Sequence, residues 1–340
     1  MKRHRLEQED IEKVAQSDLP WESLSGKTLL ISGGTGFLGQ FLIDVIRFRN
    51  ARFGSGIRVV SLSRHPLPGD EWVTYVQADI AEQAEYPFSA DFVLHLASHT
   101  HPKEFSSDPV GTVITNIFGC QNLLQFAVKS RAKRFLLASS GEIYGDGTGA
   151  PLTERDFGYI DCNTARAGYN EAKRACESLC QSYRVQYGLD CVIVRLSRCF
   201  GADRKDDSKA ISQFMKNALN GEDIVLRSQG KQRFSFCYVS DAVLGILKVL
   251  LEGKDGEAYN ISSDDEGKTL GDYAGMIAGF AEKKVVYDLD ESRNQGVSVA
   301  NFAVLDCEKL KKLGWRPTYS VSEGFRRTFS VLNDLKNEKI

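Results

Sequence analysis

From Lys27 onward, short apolar runs alternate with longer amphipathic stretches. The runs are TLLIS, RVVSLS, DFVLHLAS, RFLLASS and CVIVRLS; between them lie FLIDVIRFR, VITNIFGCQNLLQFAVK and AKRACESLCQSYRVQYG. A strand covered on both faces has no polar side, so near-continuous apolar runs separated by helices predict a buried parallel sheet. The expected fold is α/β, a doubly wound parallel sheet over residues 26–200. Residues 1–25 predict a helical extension, with Leu6, Ile11 and Val14 set among acids and bases and a DLPWESLSG connector behind them. Beyond Gly201 the elements shorten: a polar loop ADRKDDSK, a helix at AISQFMKNALNG, a strand DIVLRS, a helix SDAVLGILKVLLEG, then a helix from about Leu270 and a strand near KKVVYDL. This predicts a smaller α+β substrate lobe over 201–340, lying over the carboxyl edge of the sheet, with a strand near 258–262 returning to the main sheet.

Composition narrows the function classes. The chain has 340 residues, 42% of them hydrophobic and 26% charged, with a formal net charge of -2, which gives no global field for a polyanion such as nucleic acid. No window approaches the roughly eighteen apolar residues that cross a bilayer, and the basic N-terminus MKRHRLEQEDIEKVAQ has no apolar core behind it, so a cytoplasmic protein is expected. The eight cysteines include no CxxC pair, which favours reduced thiols over disulfides or a zinc site, and no metal is expected.

TLLISGGTGFLGQFLIDVI reads as a strand, a glycine turn and a helix. Gly33, Gly36 and Gly39 allow a positive φ, a close approach to a pyrophosphate and a helix start with open N–H groups. The turn residues Thr35, Phe37 and Leu38 join them as expected contacts of an NAD(P) cofactor, and the sheet is therefore Rossmann-like. The second strand delivers Ser63 and Arg64 where an acid would hold the ribose, so NAD and NADP both stay open: Arg64 either clamps a 2'-phosphate or stacks on adenine. Asp79 and Ile80 follow the third strand, where Asp79 either meets the adenine or caps the next segment; Leu96, Ala97 and Ser98 close the strand ending HLAS.

In GYNEAKRACESLC, Tyr169 and Lys173 stand four apart and share a helix face. An ammonium beside a phenol, with an oxidised nicotinamide nearby, favours phenolate, so Tyr169 reads as a base working below its ordinary value of about 10. One strand–helix unit earlier, LASSGEIYGD places Ser140 and Glu142 where a buried strand opens into a loop.

Together, GGTGFLG, VLHLAS, TNIFGCQNLL, ASSGEIYG, Tyr169-x-x-x-Lys173, RLSRCFG and RFSFCYVSDAV resemble the extended short-chain dehydrogenase/reductase superfamily, in particular its nucleotide-sugar epimerases, dehydratases and decarboxylases. The resemblance implies that Ser140 bonds the sugar 4-hydroxyl, Tyr169 removes its proton, the nicotinamide takes the C4 hydride, and Lys173 holds the nicotinamide ribose and tunes the tyrosine. Dehydratases resemble Thr-Asp-Glu at this place, whereas UDP-glucuronate decarboxylases resemble Thr-Ser-Glu-Val-Tyr-Gly, the pattern nearest to Ser140-Gly141-Glu142-Ile143-Tyr144-Gly145. Gly141 has no proton to give, which disfavours elimination of water. The preferred reaction is decarboxylation of UDP-glucuronate; a 4-epimerase, an atypical 4,6-dehydratase and an NADPH-dependent carbonyl reductase are the rivals.

Three residues carry the substrate expectations. Arg233, flanked by aromatics in RFSFCY, is expected as an enclosed fork at the sugar diphosphate or the acid end of the substrate. Arg198 stands where the family has a diphosphate-binding asparagine, and is expected to bind phosphate or to contact a different acidic group. In HLASHTHP, His95 is expected in the core, and His99 or His101 at the sugar. The apolar stripes of TNIFGCQNLLQFAV and AKRACESLCQSY suit pairing across a two-fold axis, and a homodimer is expected.

Overall fold

The computed structural model describes residues 3–98, 102–147, 149–203, 209–263, 267–289 and 301–338. Strands β1 (Thr28–Ser32), β2 (Arg58–Ser63), β3 (Val73–Gln77), β4 (Phe92–His95), β5 (Arg134–Ser140) and β6 (Cys191–Leu196) are followed by β7 (Arg198–Phe200), β8 (Ile224–Leu226), β9 (Arg233–Phe234), β10 (Phe236–Tyr238), β11 (Ala258–Ile261), β12 (Val285–Tyr287) and β13 (Phe302–Ala303). The helices are α1 (Arg5–Ala15), α2 (Phe37–Phe53), α3 (Pro102–Ser107), α4 (Pro109–Lys129), α5 (Ala167–Tyr187), α6 (Ala210–Leu219), α7 (Val239–Glu252), α8 (Leu270–Phe280), α9 (Glu308–Lys312) and α10 (Val321–Asn337).

Among the described residues, seven strands form one sheet in the order β11-β6-β5-β4-β1-β2-β3, every neighbour parallel. The chain winds outward from β1 to β3 and returns to β4 beside β1, so the crevice above the carboxyl ends of β1 and β4 is the switch point at which such sheets take ligands. Side chains alternate along β1: Leu29 and Ile31 enter the core shared with α2 and α7, and Leu30 enters the core under α4 and α5. That double covering is why the strand runs are apolar throughout.

The rest of the chain builds around one edge. β11 pairs with β6 in the main sheet, while β7 pairs with β10, β8 with β12 and β9 with β13 as two-stranded ribbons. Their core is aromatic: the Phe325 ring lies 4.4 Å from Phe200 and 5.7 Å from Tyr273. Truncating the buried Phe325 to alanine would cost about 3–5 kcal/mol. Helix α1, capped by His4 and Glu7, buries Ile11, Val14 and Ala15 in the same core as α2 and α7. Among the described residues no helix is long and apolar enough to cross a membrane.

Candidate active site

The glycine turn follows β1 directly. Gly33 has φ of 78°, and a Cβ there would lie 2.8 Å from the Ala97 backbone nitrogen, so no side chain fits between the two loops. The Gly36 N–H closes the turn on the Gly33 carbonyl at 2.9 Å, and a Cβ on Gly39 would run into that carbonyl. Gly36 gives α2 no side-chain cap, leaving the first-turn N–H groups beside Thr35, Phe37 and Leu38 directed at the crevice. Bare backbone at a helix start is what a pyrophosphate requires, and the cradle fits a dinucleotide.

The adenosine end is less committed. Ser63 Oγ pairs with Thr35 Oγ1 at 2.8 Å and accepts from His65 N at 3.1 Å, which fixes the β2 end against the glycine turn. Arg64 is exposed and has no ion pair among the described residues. Asp79 accepts the Ala81 N–H at 2.9 Å, a local cap, while the Ile80 side chain is buried against Gly119 of α4. Leu96 is half-buried against the core, and Ser98 donates to Asn116 Oδ1 at 2.8 Å. His99 and His101 lie outside the described residues. His95 is buried on β4, bonded to Ser32 Oγ at 2.8 Å, and burial pushes its imidazole down to about 4.

Tyr169 and Lys173 sit on the inner face of α5, both buried. The phenol faces Ser140 and Ser98, and its ring stacks on Phe105 at 4.8 Å. Burial pushes the Tyr169 hydroxyl up to about 12, against the opposing effect of Ser140. The Lys173 ammonium donates to the Ala138 carbonyl at 2.9 Å and lies 5.9 Å from the Tyr169 ring centroid; burial lowers its value. The structure thus brings Ser140, Tyr169 and Lys173 together at the end of β5.

Glu142 stands in the short 3-10 helix Gly141–Tyr144 after Ser140, whose Oγ accepts the Glu142 N–H at 3.2 Å. Its carboxylate is engaged on both oxygens: Arg166 Nη2 reaches Oε2 at 2.8 Å and Arg198 Nη2 reaches Oε1 at 3.2 Å. Arg166 Nη1 also donates to Asn170 Oδ1 at 2.9 Å, and Asn170 Nδ2 returns to the Glu142 carbonyl at 2.7 Å. The Arg198 partner in this structure is an acid of the protein itself, Glu142. Beside this cluster is a cavity of about 50 Å³ lined by Ser140, Gly141, Glu142, Arg198, Ala303 and Leu305. A Cβ on Gly141 would lie 3.2 Å from Leu305 Cδ1, so the space that a serine or aspartate would take is already bordered by leucine.

Arg233 is exposed, with Nε donating to the Gly267 carbonyl at 2.7 Å. The expected enclosure is corrected by strand geometry: neighbouring side chains leave opposite faces, so the burial of Phe234 turns Arg233 outward. Sequence reading missed Arg166, Asn170, Asn116 and Leu305. Arg166 and Asn170 had a signal, since they stand three residues before and one after Tyr169 at the start of the same helix. Asn116 is a polar residue inside an apolar helical stripe; Leu305 had no local signal.

Residues 29–262 match the profile of the NAD dependent epimerase/dehydratase family. The chain belongs to this family. Among its relatives is UDP-glucuronic acid decarboxylase 5 of Arabidopsis thaliana, 32% identical over 317 residues, covering 88% of this chain and 87% of the relative. Another is UDP-N-acetyl-alpha-D-glucosaminuronate decarboxylase of Bacillus cytotoxicus, 30% identical over 326 residues, covering 92% and 99%. The UDP-glucuronic acid 4-epimerase from Bacillus cereus, solved with UDP-glucuronic acid and NAD, superposes with a TM-score of 0.77 at 20% identity over 91% of this chain and 99% of that one. That last likeness speaks for the Rossmann-like fold of the epimerase/dehydratase family alone.

Proposed function

We propose that the chain is an NAD-dependent nucleotide-sugar decarboxylase acting on UDP-glucuronate, with a cofactor that is regenerated in each cycle. The observation that carries this reading is the cluster at Glu142. Arg166 and Arg198 hold the Glu142 carboxylate on both oxygens, and its neighbour Gly141, standing where the dehydratase pattern has an acid, has no proton to give. Elimination of water across C5 and C6 needs a proton on the leaving hydroxyl, whereas loss of carbon dioxide does not. Two relatives at 30% identity or more are named as decarboxylases of uronic acids, which supports the same choice.

When bound in the glycine cradle, with Gly33, Gly36 and Gly39 on its pyrophosphate, NAD supplies an acceptor for the C4 hydride, returns the hydride later, and adds the positive charge that a buried phenol needs. Ser140 orients the 4-hydroxyl and Tyr169 accepts its proton, with Lys173 nearby to favour the phenolate. With C4 at the ketone level the substrate is a β-keto acid. The C5–C6 bond breaks, its electron pair moves into the C4–C5 enolate, carbon dioxide leaves, and C5 takes a proton from water. Membership of the NAD dependent epimerase/dehydratase family supports NAD over NADP and weakens the carbonyl-reductase reading.

In this reading residues 26–200 hold the cofactor and 201–340 cover the sugar. The protein acts in the cytoplasm as a homodimer: its eight cysteines are unpaired, and Val110, Ile114 and Phe118 form an exposed apolar stripe along α4. Incubation with UDP-glucuronate, followed by NMR of the product, tests the reaction. A UDP-pentose with release of carbon dioxide is expected; the galacto epimer with its carboxylate retained would make the protein a 4-epimerase.

A further inference from the structure

The strand β7 aligns Arg198 with Phe236 of β10, and the Arg198 guanidinium lies 3.7 Å from the Phe234 ring centroid. Stacking on the ring fixes the plane of the fork. Among the described residues its one hydrogen bond runs from Nη2 to Glu142 Oε1, and neither Nε nor Nη1 is a buried atom lacking a partner. Those donors therefore remain available to the cavity or to solvent. The side chain is 29% exposed, and the cavity it lines, about 50 Å³, has room for a carboxylate-sized group. Ser140, which faces the Tyr169 phenol, lines the same cavity, so Arg198 reaches the reacting end of the site.

We infer that Arg198 is a specificity-determining residue that binds the C6 carboxylate of the sugar, sharing its guanidinium between that group and Glu142. The inference rests on the proposed decarboxylase reading and assigns to Arg198 the choice of an acidic over a neutral sugar. A planar fork suits a carboxylate held by two parallel N–H bonds, and a hydroxymethyl group in its place would leave donors unpaired. Gly141 contributes by its size: any side chain there would enter the cavity beside Leu305. Glu142 and Arg166 keep the fork from collapsing onto the substrate diphosphate, because Arg198 stays tethered to a group two residues from Ser140.

The test is calorimetric binding of UDP, UDP-glucose and UDP-glucuronate to the holoenzyme and to Arg198→Asn and Gly141→Leu variants. The wild type should prefer UDP-glucuronate over UDP-glucose, and Arg198→Asn should lose about tenfold or more of that preference while binding UDP within about twofold of wild type. Gly141→Leu, which fills the cavity beside Leu305, should reduce the same preference without touching UDP. Equal weakening of UDP and UDP-glucuronate in Arg198→Asn would place the arginine on the diphosphate and overturn the inference, as would a wild type with no preference for the acid. If the preference is present and Arg198-dependent but no carbon dioxide is released, the inference stands and the decarboxylase reading falls.

Discussion

At the seam between α1 and α10, Asp10 is 1% exposed, accepts the Tyr238 hydroxyl at 2.7 Å and meets Arg327 Nη2 at 2.7 Å, while the same Nη2 also donates to the Leu6 carbonyl at 2.8 Å. At the end of β5, Glu142 is also held by arginine, but its side chain is 22% exposed and Arg198 contributes a single bond. The first cluster ties the N-terminal extension to the last helix; Asp10 and Tyr238 border a cavity of about 220 Å³ on the side of Thr35 and Gly36, away from Ser140 and Tyr169. The second is open, with donors facing a cavity lined by Ser140. An arginine–carboxylate pair is therefore read by what borders it. Burial with every group engaged makes a structural lock, and an unfilled edge beside reacting groups makes a binding site.

Breaking each cluster should give opposite signatures. Glu142→Gln loosens the Arg166 and Arg198 forks beside the reacting end and should lower turnover by about 10²-fold while cofactor content, UDP binding and melting temperature stay close to wild type; carbon dioxide release and calorimetry check this. Asp10→Ala removes the most buried partner of Arg327, leaving it Glu9 and the Leu6 carbonyl, and should cost about 3 kcal/mol in denaturant unfolding, with turnover of the folded fraction near wild type. If Asp10→Ala removed activity without loss of stability, the Asp10 cluster would not be structural.

The buried interior should also answer to pH through stability. The His95 imidazole is depressed from 6.5 to about 4 by burial, so its contribution is complete above about 6.5 and is lost as pH falls through about 4. That amounts to at most about 3 kcal/mol. Urea unfolding of wild type and His95→Gln across this range should show the variant with the shallower acid loss. The smallest effect is expected at the open adenosine end: Arg64→Ala should keep NAD affinity within about twofold, since an exposed guanidinium contributes little.

The difference between the clusters also explains what the sequence made legible. The glycine cradle, Tyr169 with Lys173, and Ser140 with Glu142 each lie within one strand–turn–helix or one helix face, where spacing dictates geometry. The partner of Arg198 was left open, because it depends on β7 pairing with β10 and on Ala303 and Leu305 returning over β5. The aromatic flanks of Arg233 were informative about Phe234, which is buried, and a strand's alternation sends Arg233 the other way. The Asp10–Arg327 lock joins residues 317 apart in the chain, a separation no local pattern carries.

The most direct test follows the fate of C6. Holoenzyme given UDP-glucuronate labelled at C6 should release the label as carbon dioxide over many turnovers per bound cofactor, with no accumulation of reduced NAD. Label retained in a nucleotide sugar, or one reduced cofactor formed per product, would contradict the account.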